Sequence, residues 1–335
     1  MPDRVAIEEL AAGGAPADVS LTWAQWHDAS RSFAAALVAD GVQRGDRVAI
    51  LADNRVLWPV AYLGILMAGA VSVGVYPTSA PSQIRDQLAD CDAVAIVVDT
   101  VEHLASVLAV ADELPTLRRI VGADVDVPTD RTRSWRDYLA DGALALAESA
   151  TISSDVDARV AEAAPDDLAL LIYTSGSTGA PKGTRILHRY LSASAESIRD
   201  TLGLGDGDTS LSFLPYCHAG ERVFGLYTRI LCGMRTGHVA QHARLWEAAR
   251  EFEPTMTTGE LLGHPEVVSR VQHAVDRVNS GLSGPERIKR FVLLERDLSV
   301  EADELTPTMK IRRAVVTERY RDRLESLYRE PSPLS

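Results

Sequence analysis

The most informative stretch of this chain is LALLIYTSGSTGAPKG, which runs from Leu168 to Gly183. The apolar residues from Leu168 to Ile172 predict a buried strand that ends in a turn. The remainder carries four Ser or Thr hydroxyls, three glycines and one lysine. Glycines let backbone N–H groups approach a ligand closely, and hydroxyls beside one ammonium favour a polyphosphate. The stretch therefore predicts a strand followed by a phosphate-binding loop.

Other glycine-rich loops fit this stretch less well. A Walker A loop needs Gly-Lys followed by Ser or Thr, whereas Lys182 follows Pro181 and precedes Gly183. A dinucleotide-binding loop needs a Gly-x-Gly, whereas Gly176 and Gly179 are three residues apart. A flexible surface turn is the remaining alternative, and it would need neither the lysine nor a strand that runs into it.

Together with the preceding Asp167-Leu168, the run from Tyr173 to Gly183 resembles the phosphate-binding loop of the AMP-forming acyl-CoA synthetases, in the adenylate-forming superfamily. The resemblance implies a reaction in which a carboxylate attacks the α-phosphate of ATP and pyrophosphate leaves. Coenzyme A then displaces AMP from the acyl-adenylate, so ATP, Mg²⁺ and coenzyme A are implied. By the same resemblance, the ATP phosphates are bound by Thr174, Ser175, Gly176, Ser177, Thr178, Gly179 and Lys182.

A second motif, LPYCHAGERV, spans residues 214–223 and follows a predicted strand. Open α/β sheets bind ligands where their strands end, so this position favours a site. A histidine in a loop is, taken alone, more often structural or solvated. Here the Leu-Pro, the histidine and the Glu-Arg resemble the pattern of the long-chain fatty acyl-CoA synthetases. The resemblance implies that His218 is catalytic and borders the acyl and coenzyme A channel, with Glu221 and Arg222 beside it.

A third motif, ELTPTMKIRR, spans residues 304–313. It resembles the end of the C-terminal lid of the same enzymes, and the resemblance places Lys310 at the catalytic lysine, which bridges the carboxylate and the α-phosphate. An ammonium aimed at charge that develops on a phosphate stabilises the transition state. Taken alone, a lysine at the start of a helix is more often a surface residue. The chain has only three lysines among its 34 basic residues, which favours a specific use for Lys310.

Strand-like and helix-like segments alternate over the first 260 residues, which predicts an α/β fold with mostly parallel sheets flanked by helices. The uncharged stretch Leu57–Tyr76 is long enough to cross a bilayer, but its glycines and its valine-rich second half predict a buried helix and a buried strand. Residues 142–163 predict a surface helix or a loop. The predicted strands are Arg47–Leu51, Val71–Val75, Ala93–Asp99, Arg118–Val121, Leu168–Tyr173 and Thr209–Leu214, and the predicted helices include Trp23–Ala39, Trp58–Met67, Ser82–Ala89 and Tyr190–Thr201.

The resemblance to the family follows its order but leaves out its middle. Residues 1–259 resemble an incomplete N-terminal AMP-binding (adenylation) domain, and residues 260–335 resemble a remnant of the small C-terminal α+β lid domain. The chain lacks the Tyr-Gly-x-Thr-Glu and Thr-Gly-Asp runs that contact adenine, Mg²⁺ and ribose in the family, so no residue is assigned to a metal. Because positioning supplies much of the rate in phosphoryl transfer, this gap weakens the expected activity.

Three interpretations follow from these motifs. The first is a long-chain fatty acid–CoA ligase that activates a fatty acid through acyl-AMP. The second is a truncated, catalytically inactive relative that keeps a phosphate-binding loop or a partner-binding role. The third is an unrelated α/β phosphate-binding protein, and three motifs in family order disfavour it.

The amino-acid composition limits the kinds of partner and the cellular setting that are expected. The 335 residues carry a net charge of −13, which argues against nucleic-acid binding because that function needs clustered positive charge. Three cysteines at unrelated spacings indicate neither a disulfide framework nor a zinc site, and they favour a reducing, cytoplasmic setting. The first ten residues lack the apolar core of a secretory signal. Peripheral membrane contact and homo-oligomer formation stay open.

Overall fold

The computed structural model describes five stretches of the chain and five single positions, which are residues 2–10, 16–123, 129–174, 182–239 and 312–329 with Ala248, Phe252, Pro254, Gln272 and Glu304. The chain forms two compact units, Met1–Thr255 and Met256–Ser335. The described strands of the first unit are β1 (Val5–Leu10), β2 (Pro16–Thr22), β3 (Arg47–Leu51), β4 (Val71–Val75), β5 (Ala93–Val98), β6 (Arg119–Gly122), β7 (Thr132–Ser134), β8 (Leu168–Thr174), β9 (Lys182–Leu187), β10 (Thr209–Ser212) and β11 (Arg235–His238).

Helices connect most of these strands. A π-helical segment, Gly220–Leu226, directly precedes the helix that begins at Tyr227. The described helices of the first unit are α1 (Trp23–Ala39), α2 (Leu57–Met67), α3 (Pro81–Asp90), α4 (Val101–Leu108), α5 (Trp135–Glu148), α6 (Ala150–Ala161), α7 (His188–Leu202) and α8 (Tyr227–Cys232). Those of the second unit are α9 (Arg313–Arg319) and α10 (Arg321–Arg329).

The described strands of the first unit form two sheets. The larger sheet has the order β7-β6-β5-β3-β4-β8-β9, in which all neighbours are parallel except β8 and β9. The smaller sheet has the order β10-β11-β1-β2, with β2 antiparallel to β1 and the other pairs parallel. Parallel neighbours end at the same edge, so the carboxyl ends of β3, β4 and β8 lie side by side.

The larger sheet is buried on both faces. Val48 and Ile50 of β3 belong to one apolar cluster, which includes residues of α1 and α2. The alternate residues Ala49 and Leu51 belong to a second cluster, which includes residues of α3 and α4. Side chains of a strand alternate between its two faces, so a strand covered on both sides reads as a continuous apolar run. This arrangement confirms the predicted α/β fold with parallel sheets flanked by helices.

Most predicted segments of the first unit are confirmed. The helix α1 and the strands β3 and β4 have the predicted bounds. The uncharged stretch forms α2 and β4, and no helix among the described residues is long and apolar enough to cross a membrane. Residues 142–163 lie mostly in two helices, α5 and α6, where the Ser149 hydroxyl accepts a hydrogen bond from the Ile152 N–H and caps the second. The lid remnant at 260–335 stays a prediction.

Candidate functional site

A β-hairpin carries the predicted phosphate loop. The strands β8 and β9 are antiparallel, and Thr174 at the end of β8 lies opposite Lys182 at the start of β9. The side chain of Lys182 is exposed. Residues 175–181 join the two strands and lie outside the described residues. Five of the predicted phosphate-binding residues are among them, namely Ser175, Gly176, Ser177, Thr178 and Gly179.

The base of this hairpin is fixed against helix α3. The Tyr173 hydroxyl donates a hydrogen bond to the Asp90 carboxylate, with an O···O distance of 2.5 Å. Burial, reinforced by this carboxylate, raises the pKa of Tyr173 well above its ordinary value, so the hydroxyl remains a donor. A Cβ atom at Gly183 would lie 3.1 Å from Cζ of Tyr173. Tyr173 is therefore held in place at one end of the loop. Gly183 at the other end leaves room for the Tyr173 ring.

The segment that carries His218 lies at the carboxyl edge of the larger sheet. Asn54 lies three residues after the end of β3, and its Nδ2 donates a hydrogen bond of 2.6 Å to the Leu214 carbonyl. The strand β10 ends at Ser212, two residues before the predicted end. The Leu214 carbonyl thus bonds to a side chain of the loop that follows a strand of the larger sheet. This contact joins the second motif to the edge at which β8 ends.

His218 is exposed and has a defined orientation. Its Nδ1 accepts a hydrogen bond of 3.1 Å from the Gly220 N–H. In the neutral ring the proton then resides on Nε2, which is left as a donor. The predicted histidine is therefore accessible and can donate a hydrogen bond.

Glu221 is buried, in contrast to His218. Its carboxylate accepts a hydrogen bond of 2.7 Å from the Ser212 hydroxyl and a second from Nη1 of Arg229. Arg229 also donates to the Leu211 carbonyl at 2.9 Å. The carboxylate of Glu221 thus joins the π-helical segment to β10.

Arg222 is also completely buried and links two parts of the site. Its Nη2 donates to the Cys217 carbonyl at 3.1 Å and to the Leu171 carbonyl at 3.4 Å. Cys217 directly precedes His218, and Leu171 belongs to the strand that leads into the phosphate loop. Gly74 of β4 leaves room for this contact, because a Cβ there would lie 3.0 Å from Nη2 and 2.8 Å from Cα of Cys217. Burial lowers the pKa of Arg222, although a guanidinium still stays charged near neutral pH.

A buried histidine that the sequence did not indicate supports the same motif. Nε2 of His238 accepts a hydrogen bond of 2.8 Å from the Tyr216 hydroxyl, and its Nδ1–H donates to the Glu8 carbonyl at 3.1 Å. In this arrangement the neutral ring has both nitrogens satisfied. Burial lowers the pKa of His238 to about 3. No spacing pattern could reveal this contact, because Glu8 is 230 residues away along the chain.

A second histidine lies where β4 and β5 end. Nδ1 of His103 contacts the buried Asp99 carboxylate at 2.6 Å, and its Nε2 contacts the Pro77 carbonyl at 3.2 Å. Both partners are acceptors, so the cationic ring, with a proton on each nitrogen, satisfies both contacts. The hydrogen bond to Asp99 raises the pKa of His103.

These two histidines predict opposite pH effects on stability. The pKa of His238 is lower in the folded chain than its ordinary value near 6.5, so its contribution is complete above about pH 6.5 and is lost as the pH falls. Between pH 6.5 and pH 5 the wild type should lose about 1 to 2 kcal/mol more unfolding free energy than His238→Gln. The pKa of His103 is raised, so its contribution is lost as the pH rises. Urea titrations across this range measure both, and equal slopes for wild type and His238→Gln would contradict the assignment.

No metal site is evident in the described part of the chain. None of its groups of three or more His, Cys, Asp or Glu side chains is placed to hold a metal ion. The implied Mg²⁺ therefore has no assigned protein ligand. Lys310 lies outside the described residues, so its predicted role also stays a prediction.

The fold is that of the adenylate-forming ligases. The anthranilate–CoA ligase AuaEII, solved with anthranoyl-AMP, superposes with a TM-score of 0.65 at 23% identity, over 76% of this chain and 46% of that one. The N-terminal domain of FACL13 from Mycobacterium tuberculosis superposes with a TM-score of 0.61 at 25% identity, over 76% of this chain and 58% of that one. The two-sheet architecture is thus shared with the N-terminal part of such ligases.

The sequence identifies the family directly. Residues 1–271 match the family described as AMP-binding enzyme, so the chain belongs to the AMP-binding enzyme family. The long-chain-fatty-acid–CoA ligase ACSBG2 of Rattus norvegicus is 28% identical over 282 residues, which are 81% of this chain and 41% of that protein. The long-chain-fatty-acid–CoA ligase FadD15 of Mycobacterium bovis is 29% identical over 290 residues, 86% of this chain and 45% of that protein. The chain thus spans less than half the length of these relatives.

Proposed function

We propose that this chain takes part in the ATP-dependent activation of a long-chain fatty acid, first to acyl-AMP and then to the acyl-CoA thioester. The observation that supports this most strongly is the end of β8 at the carboxyl edge of a parallel sheet, since the TSGSTGAPK sequence begins there at Thr174 and ends at Lys182 of β9. Ligands of open α/β sheets bind at this edge. The similarity to long-chain-fatty-acid–CoA ligases supports the substrate class.

In this proposal the residues of the hairpin and of the second motif have separate roles. The backbone and hydroxyls of Thr174–Gly179 bind the β- and γ-phosphates of ATP, and the exposed Lys182 lies at the base of the loop. Lys310 bridges the carboxylate and the α-phosphate while charge develops there. His218 supplies an exposed Nε2 donor at the acyl and coenzyme A channel. Glu221 and Arg222 support that channel from the buried side.

The proposed organisation follows from the same comparison. Residues 1–259 form the incomplete adenylation domain and residues 260–335 the remnant of the lid. ATP and coenzyme A are the proposed co-substrates, and Mg²⁺ accompanies the ATP phosphates without an assigned residue of this chain. We place the protein in the cytoplasm and leave self-association to measurement.

Exchange of pyrophosphate into ATP tests the proposed activity. In the presence of hexadecanoate, the chain should catalyse acid-dependent exchange of labelled pyrophosphate into ATP. No exchange above that of Lys310→Ala would exclude the proposed ligase activity. If the wild-type chain shows no such exchange but still binds ATP, it is an inactive relative that keeps the phosphate loop.

A further inference from the structure

The guanidinium of Arg222 is a buried cation without a carboxylate partner in the described part of the chain. The ionisable groups that interact with its charge are Tyr62, Tyr76, Cys217 and Tyr227. Burial raises the pKa of Tyr76, Cys217 and Tyr227 to about 12, so they are neutral near neutral pH. The charge of Arg222 is therefore not balanced by these groups.

The adjacent carboxylate does not supply the missing charge. Glu221 is committed to Arg229 and to the Ser212 hydroxyl. On Arg222 itself, only Nη2 has hydrogen-bond partners, and Nε and Nη1 have none among the described residues. One N–H of Nε and two of Nη1 are thus left without acceptors.

The other buried arginines of the described residues are bonded differently. Nη1 of Arg159 donates to the Val42 carbonyl at 2.8 Å and to the Ala68 carbonyl at 2.9 Å, and its Nη2 contacts Asp155 at 2.9 Å. Arg229 has the Glu221 carboxylate as its partner. A buried charge is normally paired in this way because an unpaired one is costly. Arg222 departs from this pattern.

Further unpartnered donors lie on the same side of the larger sheet as the guanidinium. The guanidinium carbon of Arg222, Cζ, lies 5.5 Å from the ring centroid of Trp58. The Nε1–H of Trp58 has no acceptor among the described residues. The hydroxyl of Ser72 is buried and also without a described partner. Ser72 lies on the same face of β4 as Gly74, where Nη2 of Arg222 lies 3.0 Å from the position that a Cβ would take. The indole N–H and the guanidinium can only donate, and the Ser72 hydroxyl can donate or accept, so donors predominate in this cluster.

The surroundings of these donors are aromatic. The Trp58 ring stacks on the Tyr216 ring at 5.0 Å and contacts the Tyr62 ring at 5.7 Å. Tyr62 in turn contacts Tyr227 edge to face at 6.2 Å. Arg222 itself lies in the π-helical segment, and such segments are frequent at functional sites. The occupant that suits a cluster of donors within aromatic walls is an acceptor-only anion attached to an apolar body.

We propose that Arg222, Trp58 and Ser72 form a binding site for the carboxylate of a long-chain apolar acid. This inference rests on the proposed function and deepens it, because it identifies the group that distinguishes the acid from other lipids. The carboxylate accepts from Nε and Nη1 of Arg222, and the aromatic rings contact the first part of the alkyl chain. The negative charge of the acid balances the positive charge of Arg222, which no carboxylate among the described residues does.

Binding of a matched acid and alcohol tests this site. Dissociation constants of dodecanoate and dodecan-1-ol are measured by tryptophan fluorescence, without nucleotide, at pH 7.5. The wild type should bind the acid at least tenfold more tightly than the alcohol. Arg222→Met should remove this preference, and Arg222→Lys should keep part of it because the charge remains. Equal affinities of the wild type for the two ligands would overturn the proposal, and this measurement needs no variant.

A second buried arginine provides the control for folding. Arg159→Met should lower the melting temperature, because it leaves two carbonyls without donors, and it should keep the preference for the acid. Arg222→Met should melt no lower than Arg159→Met. If Arg159→Met loses the preference as Arg222→Met does, the effect is one of folding and the proposed site is wrong.

ATP binding separates this inference from the proposed function. A chain that binds ATP and exchanges pyrophosphate but does not prefer the acid contradicts the carboxylate site alone. A chain that prefers the acid but does not exchange pyrophosphate contradicts the ligase activity alone.

Discussion

Replacing Lys310 by alanine is expected to lower acid-dependent ATP–pyrophosphate exchange by about 100- to 1,000-fold. The ammonium interacts with the α-phosphate most strongly when charge accumulates there, so its loss should raise the barrier more than it weakens ATP binding. The turnover number should therefore fall while the ATP concentration at half-maximal rate changes little. Steady-state exchange at several ATP concentrations measures both quantities.

The chain offers a matched control for this substitution. Lys289 is one of only three lysines and belongs to none of the three motifs. Lys289→Ala should leave exchange within about twofold of wild type. Equal losses for Lys289→Ala and Lys310→Ala would show that Lys310 has no special role.

Replacing Gly142 by alanine is expected to destabilise the first unit by about 3 kcal/mol. Gly142 lies in α5 against α1, where a Cβ would lie 1.9 Å from the Ser32 carbonyl oxygen and 2.7 Å from its carbon. Both are backbone atoms, so no side-chain rotation relieves the clash and the two helices must separate. Alanine favours a helix over glycine by only about 1 kcal/mol, which is too little to offset overpacking. Urea unfolding measures the difference.

An exposed glycine gives the comparison for this prediction. No heavy atom lies within 4 Å of a Cβ built at Gly207. Gly207→Ala should change the unfolding free energy by less than about 1 kcal/mol, toward greater stability if at all. A Gly142→Ala variant as stable as Gly207→Ala would contradict the close contact between α1 and α5.

Local patterns in the sequence were enough to predict much of the larger sheet. The strands β3 and β4 and the helix α1 carry their own signals, namely apolar runs and helical periodicity, and their bounds agree with the structure. The smaller sheet was not predicted, apart from β10. Its pairing joins Ile7 to Thr236, and no local pattern encodes a contact over that distance. The polar strand β9 was missed because it lacks an apolar face: four of its six residues are exposed.

In the candidate site, too, a local motif could be predicted and the contacts with distant residues could not. The sequence identified His218, Glu221 and Arg222 together through one motif, but it could not show that the first is exposed and the other two are buried. That difference depends on Ser212, Arg229 and the neighbouring strands. The sequence could not predict that His238 bonds to the Glu8 carbonyl, since a lone histidine in a strand has no distinguishing signal.

The claim that the loop after β8 binds the β- and γ-phosphates of ATP is tested most directly by calorimetric titration with ATP and with AMP. The wild type should bind ATP at least tenfold more tightly than AMP, a difference of about 1.4 kcal/mol. Lys182→Ala should lose most of this difference and leave AMP binding unchanged, whereas Lys289→Ala should behave as wild type. Equal affinities of the wild type for ATP and AMP, or full retention of the difference in Lys182→Ala, would contradict the account.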